Sequence, residues 1–228
     1  WCNRHVPGTT LRLAMLGASN AGGQPGSTGD PADLGYTLPA GCTIYVDDST
    51  PLTDYPTDKF GPIVGCIDEL VNVLGFEDPI VAVVRSEPGS SLAGWNSTYM
   101  AQASTIYATS GHPHATFVLG HGASAQDEGD ANAYAAALQT HVAAIRRDRG
   151  AGQGVALVGF HHVEPVSYPF ASTVVAAQVA HAANNQGVVF VDASDLEMSE
   201  DSHYTGPSQI TIGRRLARVL VNGLVVRP

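Results

Sequence analysis

The chain has 228 residues, of which 44% are hydrophobic and 14% charged, a balance typical of one globular domain and unlike that of a disordered chain. Its net charge of −10, with 11 lysines and arginines, argues against a nucleic acid or an anionic membrane surface as partner. No apolar run approaches the length of about 18 residues that a membrane-spanning helix requires. We therefore expect a single domain over residues 1–228. Because the chain begins with Trp1, we expect either a processed protein or a domain cut from a longer one.

Five short apolar runs, rich in β-branched residues, predict buried strands of a parallel sheet. The runs are Leu11–Ser19, Pro79–Ser86, Ala115–Gly120, Val155–Phe160 and Val188–Ala193. Apolar residues spaced three and four apart predict helices that begin near Ile63, Tyr134, Val174 and Gly206. Strands that alternate with helices form right-handed crossovers, so we predict an α/β fold: a three-layer α/β/α sandwich with a five-stranded parallel sheet.

Residues 41–60 interrupt this alternation, and we treat them as an insertion. The segment is rich in Asp, Thr and Pro, and the run Ile44-Tyr45-Val46 indicates one possible short strand within it. Cys42 and Cys66 could form a disulfide, which would leave Cys2 unpaired; buried free thiols are the alternative. The absence of a CxxC pair in the sequence argues against a structural zinc site.

Small and polar residues follow the predicted strands at their carboxyl ends, where open parallel sheets bind ligands. Ser19 follows the first strand, on a turn that opens into a glycine-rich loop, and by itself it could equally cap a helix. Gly89 lies in a tight turn after the second strand, and His121 in a loop after the third. His203 follows the fifth strand. Because these strand ends share one edge of the sheet, we expect the four residues to converge there.

These residue types are the parts of an acyl-transfer site. A serine hydroxyl is a weak nucleophile until a base takes its proton, and His203 is the candidate base. A carboxylate would orient the imidazole through Nδ1; Glu200 and Asp201 both stand close enough in sequence. We favour Asp201 by residue type and keep Glu200 as an open alternative. The main-chain N–H groups of Ser19 and Gly89, with the His121 ring as a third donor, could face a developing oxyanion.

Four stretches of the sequence, in this order, resemble motifs of the SGNH esterase superfamily, in particular its branch of sialate O-acetylesterases and acetylxylan esterases. They are Gly17-Ala18-Ser19-Asn20, Gly89-Ser90-Ser91 with Trp95, His121-Gly122-Ala123, and Glu200/Asp201 with His203 before Gly213-Arg214-Arg215-Leu216-Ala217. The resemblance spans nearly the whole chain. It departs from the branch at Ala18, where the family has Gln, and at His121 and Ala123, where it has the Gln and Glu of a QGE motif.

The resemblance implies a flavodoxin-like fold and hydrolysis of an acyl ester, usually an acetyl group on a sugar, without a cofactor. By the same resemblance Ser19 is the nucleophile, His203 the base, and the Ser19 and Gly89 amides form the oxyanion hole. The third donor of the family falls on His121, which donates only in the right tautomer. An α/β-hydrolase fits less well, because its GxSxG serine lies in mid-chain and its acid and histidine are well separated.

Further residues are candidates for contact with the substrate. They are Asn20, Ser90 and Trp95, which lie within or beside the matched motifs, and His162, which follows the fourth strand. The His161-His162 pair with Glu164 lacks a zinc-binding spacing, so we predict no metal site.

The partner expected from these residues is a small-molecule or polysaccharide acyl ester. Two alternatives to a serine esterase remain at this point. The departures at His121 and Ala123 would suit a non-catalytic glycan-binding domain of the same fold. The same residues would also serve an O-acyltransferase, because only access of water separates the two reactions.

Overall fold

The computed structural model describes residues 5–22, 31–56, 60–120, 122–147, 153–159, 168–199 and 203–224. Its centre is a seven-stranded sheet with the order β3-β2-β4-β1-β5-β6-β7. All neighbouring strands are parallel except the short edge pair of β2 and β3. The strands are β1 (Leu11–Gly17), β2 (Cys42–Val46), β3 (Pro51–Leu52), β4 (Ile80–Ser86), β5 (Ala115–Leu119), β6 (Gly154–Val158) and β7 (Val188–Val191).

The prediction of an α/β fold is confirmed, and the count of five strands is wrong. All five predicted strands are present, and without β2 and β3 their order is the 2-1-3-4-5 of flavodoxin-like folds. The two additional strands come from residues 41–60, the segment expected to be an insertion. The possible short strand at Ile44-Tyr45-Val46 is confirmed as part of β2, whereas β3, two residues long at the edge of the sheet, has no apolar run that predicts it.

Helices cover both faces of the sheet. The strand β1 shows why: Leu11, Leu13 and Met15 face one apolar cluster, and Ala14 and Leu16 face the other. The first cluster contains α2 and α7, and the second contains α3 to α6. The helices are α1 (Ser19–Gly22), α2 (Ile63–Asp68), α3 (Leu92–Gly94), α4 (Met100–Ser110), α5 (Glu128–Arg147), α6 (Ala171–Asn184) and α7 (Gly206–Val219).

Cys42 and Cys66 are free thiols, which corresponds to the second of the two alternatives for these residues. Cys66 belongs to α2 and is fully buried in the first cluster, and Cys42 packs against the same cluster. Burial raises the pKa of both thiols, because an apolar surrounding disfavours the thiolate. Both are therefore poor nucleophiles.

Two glycines allow α2 and α7 to pack closely. A Cβ on Gly213 would overlap the carbonyl oxygen of Pro62, and a Cβ on Gly65 would overlap that of Ile210. The buried Glu69 carboxylate, which follows α2, accepts a hydrogen bond of 2.9 Å from Arg218 of α7. The close approach matters for the site described below, because α7 begins directly after the residues that include His203.

We expect Gly213→Ala to lower the free energy of unfolding by about 3 kcal/mol, because the added methyl group must push two backbones apart. Urea unfolding measures the effect. Gly94→Ala is the matched control: a Cβ there meets its nearest neighbour, a ring carbon of Tyr99, at an ordinary 3.5 Å. Equal stability of the two variants would contradict the close packing of α2 and α7.

His141 makes the stability depend on pH. Its ring is fully buried, and Nδ1 lies 2.9 Å from the Asn96 side-chain oxygen. Burial lowers the pKa of His141 from its ordinary 6.5 to about 4. The unfolded chain therefore binds a proton before the folded one does. Stability contributed by the neutral ring is full above pH 6.5 and declines as the pH falls to about 4, by roughly 3 kcal/mol in total.

We expect His141→Gln to flatten this dependence, because glutamine keeps a polar group towards Asn96 and does not titrate. Urea unfolding at several pH values between 7 and 4 compares the variant with the wild type. Parallel curves for the two proteins would show that His141 does not titrate in this way.

Candidate active site

Ser19 lies at a sharp turn between β1 and α1. A Cβ on Gly17 would overlap the carbonyl oxygen of Leu119, so the end of β1 approaches β5 as only glycine permits. The Ala18 N–H donates to the carbonyl oxygens of Leu119 and Gly120, both at 3.3 Å, and holds the turn. The helix then begins at Ser19 with its side chain half-buried at the carboxyl edge of the sheet.

His203 is presented by a small antiparallel pairing that follows β7. Met198 and Tyr204 form an isolated bridge, and both the N–H and the hydroxyl of Ser199 donate to the His203 carbonyl oxygen, at 2.7 and 3.0 Å. Thr205 then caps α7, because its hydroxyl accepts a hydrogen bond from the Ser208 N–H. His203 is thus held between a bridge and a helix cap.

The structure brings Ser19 and His203 together. Nε2 of His203 lies 2.9 Å from Oγ of Ser19, which is hydrogen-bond distance across 184 positions of sequence. For Nε2 to accept the serine proton, the ring must carry its own proton on Nδ1. That tautomer is stabilised by an acceptor at Nδ1, for which a carboxylate is best suited.

Gly89 lies in a tight turn after β4. The Ser90 N–H donates to the Glu87 carbonyl oxygen at 3.2 Å, and Gly89 has φ of +70°, with Pro88 before it, as in a type II turn. The Glu87 N–H donates to the Gly17 carbonyl oxygen at 2.9 Å, which fastens the turn to the end of β1. The glycine turn therefore stands beside the turn that carries Ser19.

The main-chain N–H groups of Ser19 and Gly89 have no hydrogen-bond acceptor among the residues that the structure describes. For Ser19 this follows from its position, because the first N–H groups of a helix have no partner within it. Two unused donors on adjoining turns are what a developing oxyanion requires.

Three predicted substrate contacts lie within the described residues, and all are buried. Trp95 is fully buried, and its indole N–H donates to the Ser90 hydroxyl at 2.9 Å. Asn20 is 5% exposed, and its side-chain oxygen accepts a hydrogen bond from the main-chain N–H of Tyr204, shortly before α7. This burial argues against direct contact with a substrate. A buried indole needs a partner for its N–H, and for Trp95 that partner is Ser90 of the glycine turn. This hydrogen bond ties the turn to the buried Trp95 side chain.

The remaining predicted site residues lie outside the described residues. They are His121, His162, Glu200 and Asp201. Two carboxylates shortly precede them, Asp195 and Glu197, and Asp195 is held by a two-pronged ion pair with Arg215 at 2.7 and 2.6 Å. Hydrogen bonding to Arg215 lowers the pKa of Asp195 to about 2. The ion pair argues against Asp195 as the carboxylate that holds His203 and leaves Glu200 and Asp201 as the candidates that the sequence predicts.

Asp47 is a supporting residue that the sequence analysis missed. It follows β2 with φ of +58°, and its carboxylate accepts from the Ser86 N–H at 2.8 Å and from Arg85 at 3.1 Å. Arg85 also donates to Glu87, the first residue of the glycine turn, at 3.0 Å. An Asp directly after a short β-branched run was the available signal, since Asp tolerates positive φ.

The segment 41–60 also walls an apolar cleft near the site. Its lining includes Val46, Tyr55 and Phe60 together with Val84 of β4 and Gly22, the last residue of the short helix that begins at Ser19. Described residues of this segment therefore reach the neighbourhood of Ser19.

Neither a cluster of metal ligands nor a helix of membrane-spanning character is present among the described residues. No group of three or more histidine, cysteine or acidic residues in the described ranges is placed to hold a metal ion. No helix within those ranges is both long and apolar enough to cross a membrane.

A family model described as carbohydrate esterase, sialic acid-specific acetylesterase matches residues 44–222. The matched range contains Gly89 and His203 and begins after Ser19. No curated protein sequence matches the chain.

Solved structures resemble the chain over almost its whole length. A protein from Arabidopsis thaliana has a TM-score of 0.75 and 17% identity, covering 96% of this chain and 100% of that one. NanS has a TM-score of 0.70 and 11% identity, covering 96% and 98%. A family 3 carbohydrate esterase from Clostridium thermocellum has a TM-score of 0.59 and 11% identity, covering 95% and 98%. At such identities the structural likeness shows the fold alone.

Proposed function

Because the chain belongs to the carbohydrate esterase family of sialic acid-specific acetylesterases, we propose that it is a serine esterase that removes O-acetyl groups from carbohydrates. The observation that carries the serine mechanism is the 2.9 Å hydrogen bond between Ser19 Oγ and His203 Nε2. A hydroxyl in contact with an imidazole at the carboxyl edge of a parallel sheet has both a base and an open side for substrate.

In the first half of the reaction, Ser19 Oγ attacks the carbonyl carbon of the ester while its proton passes to His203 Nε2. The carbonyl oxygen becomes an oxyanion, which accepts hydrogen bonds from the Ser19 and Gly89 N–H groups. The tetrahedral intermediate then collapses. His203 gives the proton to the departing sugar oxygen, so the alcohol leaves neutral and the acetyl group stays on Ser19.

In the second half, water takes the place of the sugar. His203 removes a proton from the water as its oxygen attacks the acetyl carbon, and the same two N–H groups stabilise the second oxyanion. Collapse returns the proton to Ser19 Oγ and releases acetic acid. To accept a proton at Nε2 in each half, the neutral histidine must carry its own proton on Nδ1, a tautomer that a carboxylate acceptor favours. We assign that part to Asp201, with Glu200 as the rival.

His121 is the proposed third donor to the oxyanion. It stands where the resembling family has an amide side chain, and an imidazole N–H can serve the same purpose when the ring carries its proton on the nitrogen that faces the oxyanion. His162 remains a proposed contact with the sugar.

Release of acetate tests the proposal. The protein is incubated with O-acetylated sialic acid and, in parallel, with acetylated xylan, and free acetate is measured over time. We expect acetate from at least one of them and stoichiometric labelling of Ser19 by a fluorophosphonate. Acetate transferred to an added alcohol, with none in water, would indicate a transferase. Binding of the glycan with neither acetate nor labelling would indicate a glycan-binding domain.

A further inference from the structure

Ser19 and His203 come from opposite ends of the chain, so contacts outside the reacting pair must set their distance. The residues that follow them supply such a contact. Asn20 follows Ser19, Tyr204 follows His203, and the Tyr204 N–H donates to Asn20 Oδ1 at 3.1 Å. A third side chain joins them: Gln209, in the first turn of α7, donates from Nε2 to the same oxygen at 3.1 Å.

The direction of these hydrogen bonds is fixed by chemistry. A main-chain N–H can only donate, so the Asn20 atom facing Tyr204 must be the amide oxygen. The Gln209 atom that faces this oxygen must then be its amino group. Asn20, Tyr204 and Gln209 are all buried, at 5%, 2% and 0% exposure, so water does not compete for these groups.

We propose that Gln209 is a positioning residue for the nucleophile and its base, an inference that rests on the proposed esterase function. The oxygen of Asn20 has two lone pairs, and the two donors occupy both. Asn20 is therefore held in one rotamer against Tyr204, which keeps His203 at the side of Ser19. Gln209 itself touches neither reacting residue. It acts through Asn20, and it ties α7 to the short helix that begins at Ser19.

Loss of the Gln209 donor frees one side of Asn20. The Asn20 side chain can then turn away from Tyr204, and the main chain beside His203 loses its anchor. A misplacement of the base by about 1 Å slows an enzyme by roughly 100-fold, whereas binding of the substrate does not depend on the serine–histidine distance. The expected signature is a fall in kcat without a change in KM.

Gln178 is a matched control. It is also fully buried, and its Nε2 donates to the Tyr134 hydroxyl at 3.1 Å and, at a longer 3.5 Å, to the Val158 carbonyl oxygen. Its Oε1, like that of Gln209, has no partner among the described residues. It lies in α6, on the other face of the sheet from α7. The substitutions Gln209→Met and Gln178→Met therefore each remove a fully buried amide donor, in different places.

Both variants are assayed with p-nitrophenyl acetate, and the rate of fluorophosphonate labelling at Ser19 is measured by intact mass. We expect Gln209→Met to lower kcat and the labelling rate by about 10- to 100-fold with KM unchanged. We expect Gln178→Met to leave kcat and labelling at the wild-type level, with a comparable fall in Tm. Equal kcat values in the two variants, or a rise in KM alone for Gln209→Met, would overturn the positioning role.

If Gln209→Met does not fold, Gln209→Asn gives the same test, because it keeps a buried amide and withdraws it by about 1.5 Å, one carbon–carbon bond. A kcat unchanged in that variant would likewise overturn the inference. Failure of the proposed function looks different: the wild-type protein itself would then neither hydrolyse the ester nor take up the label.

Discussion

Ser19→Ala should abolish ester hydrolysis, lowering kcat by a factor of roughly 10⁴ to 10⁶. The methyl group of alanine cannot form the acyl-enzyme, and what remains is the modest catalysis by the oxyanion donors and by binding. Hydrolysis of p-nitrophenyl acetate measures the loss. The fold should not change, because the Ser19 side chain is half-buried and its one described side-chain hydrogen bond is to His203.

Two controls make the result specific to Ser19. Ser104 lies on α4, and its hydroxyl donates to the Met100 carbonyl oxygen within the same helix. Ser104→Ala should keep wild-type activity. Peptide mapping after fluorophosphonate treatment should place a single adduct on Ser19 in the wild type and none in Ser19→Ala. Wild-type turnover by Ser19→Ala, or an adduct on another serine, would refute the assignment of the nucleophile.

The parts of the site that follow from the sequence are those with local causes. A buried strand requires a continuous apolar run, and such runs predict the five strands that became β1, β4, β5, β6 and β7. Functional residues of parallel sheets follow the carboxyl ends of strands, so locating β1 makes Ser19 a candidate, and the glycine turn, His121 and His203 at other strand ends favour it over a helix cap. His203 precedes a Thr-Gly-Pro helix start, which is itself a local signal.

The parts that do not follow from the sequence depend on contacts between distant segments. Gln209 stands in an amphipathic helix, where a glutamine normally indicates the solvent side, yet it is fully buried. It is buried because α7 packs closely on α2 through glycine and directs this side chain at Asn20, some 189 positions away. For Trp95 the sequence favours contact with substrate, because an aromatic residue follows the glycine turn, whereas the structure buries its side chain fully.

The segment 41–60 illustrates a third cause. Its strand β2 has partly exposed residues at four of five positions, so the pattern is neither a continuous apolar run nor a clean alternation. Pairing with β4 makes this segment a strand. Asp47, the residue after β2, then accepts a hydrogen bond from the Ser86 N–H at the end of β4. For a strand with partly exposed residues, tertiary pairing of this kind matters more than local preference does.

Asp201→Asn should lower kcat by about 10⁴-fold, and Glu200→Gln should change it by less than about 10-fold. The two variants should differ because we assign Asp201, and not Glu200, as the carboxylate at Nδ1 of His203. The size of the loss in Asp201→Asn comes from the tautomer of His203. A carboxylate accepts the Nδ1 proton of His203 and leaves Nε2 free of a proton, ready to accept that of Ser19. An asparagine amide can instead donate to Nδ1, which favours the proton on Nε2. A protonated Nε2 cannot serve as the base, however good the distance of 2.9 Å to Ser19 Oγ.

Asp195→Asn is the matched control for loss of a neighbouring carboxylate, because Asp195 is already engaged by both Nη atoms of Arg215. We expect it to leave kcat close to that of the wild type. The three variants are compared by steady-state hydrolysis and by the rate of Ser19 labelling, which reports the reactivity of the serine without a leaving sugar. A large loss in Glu200→Gln and a small one in Asp201→Asn would transfer the acid to Glu200. Small losses of kcat in both Asp201→Asn and Glu200→Gln would mean that His203 keeps the reactive tautomer without either carboxylate. The proposed triad would then be replaced by a serine–histidine pair.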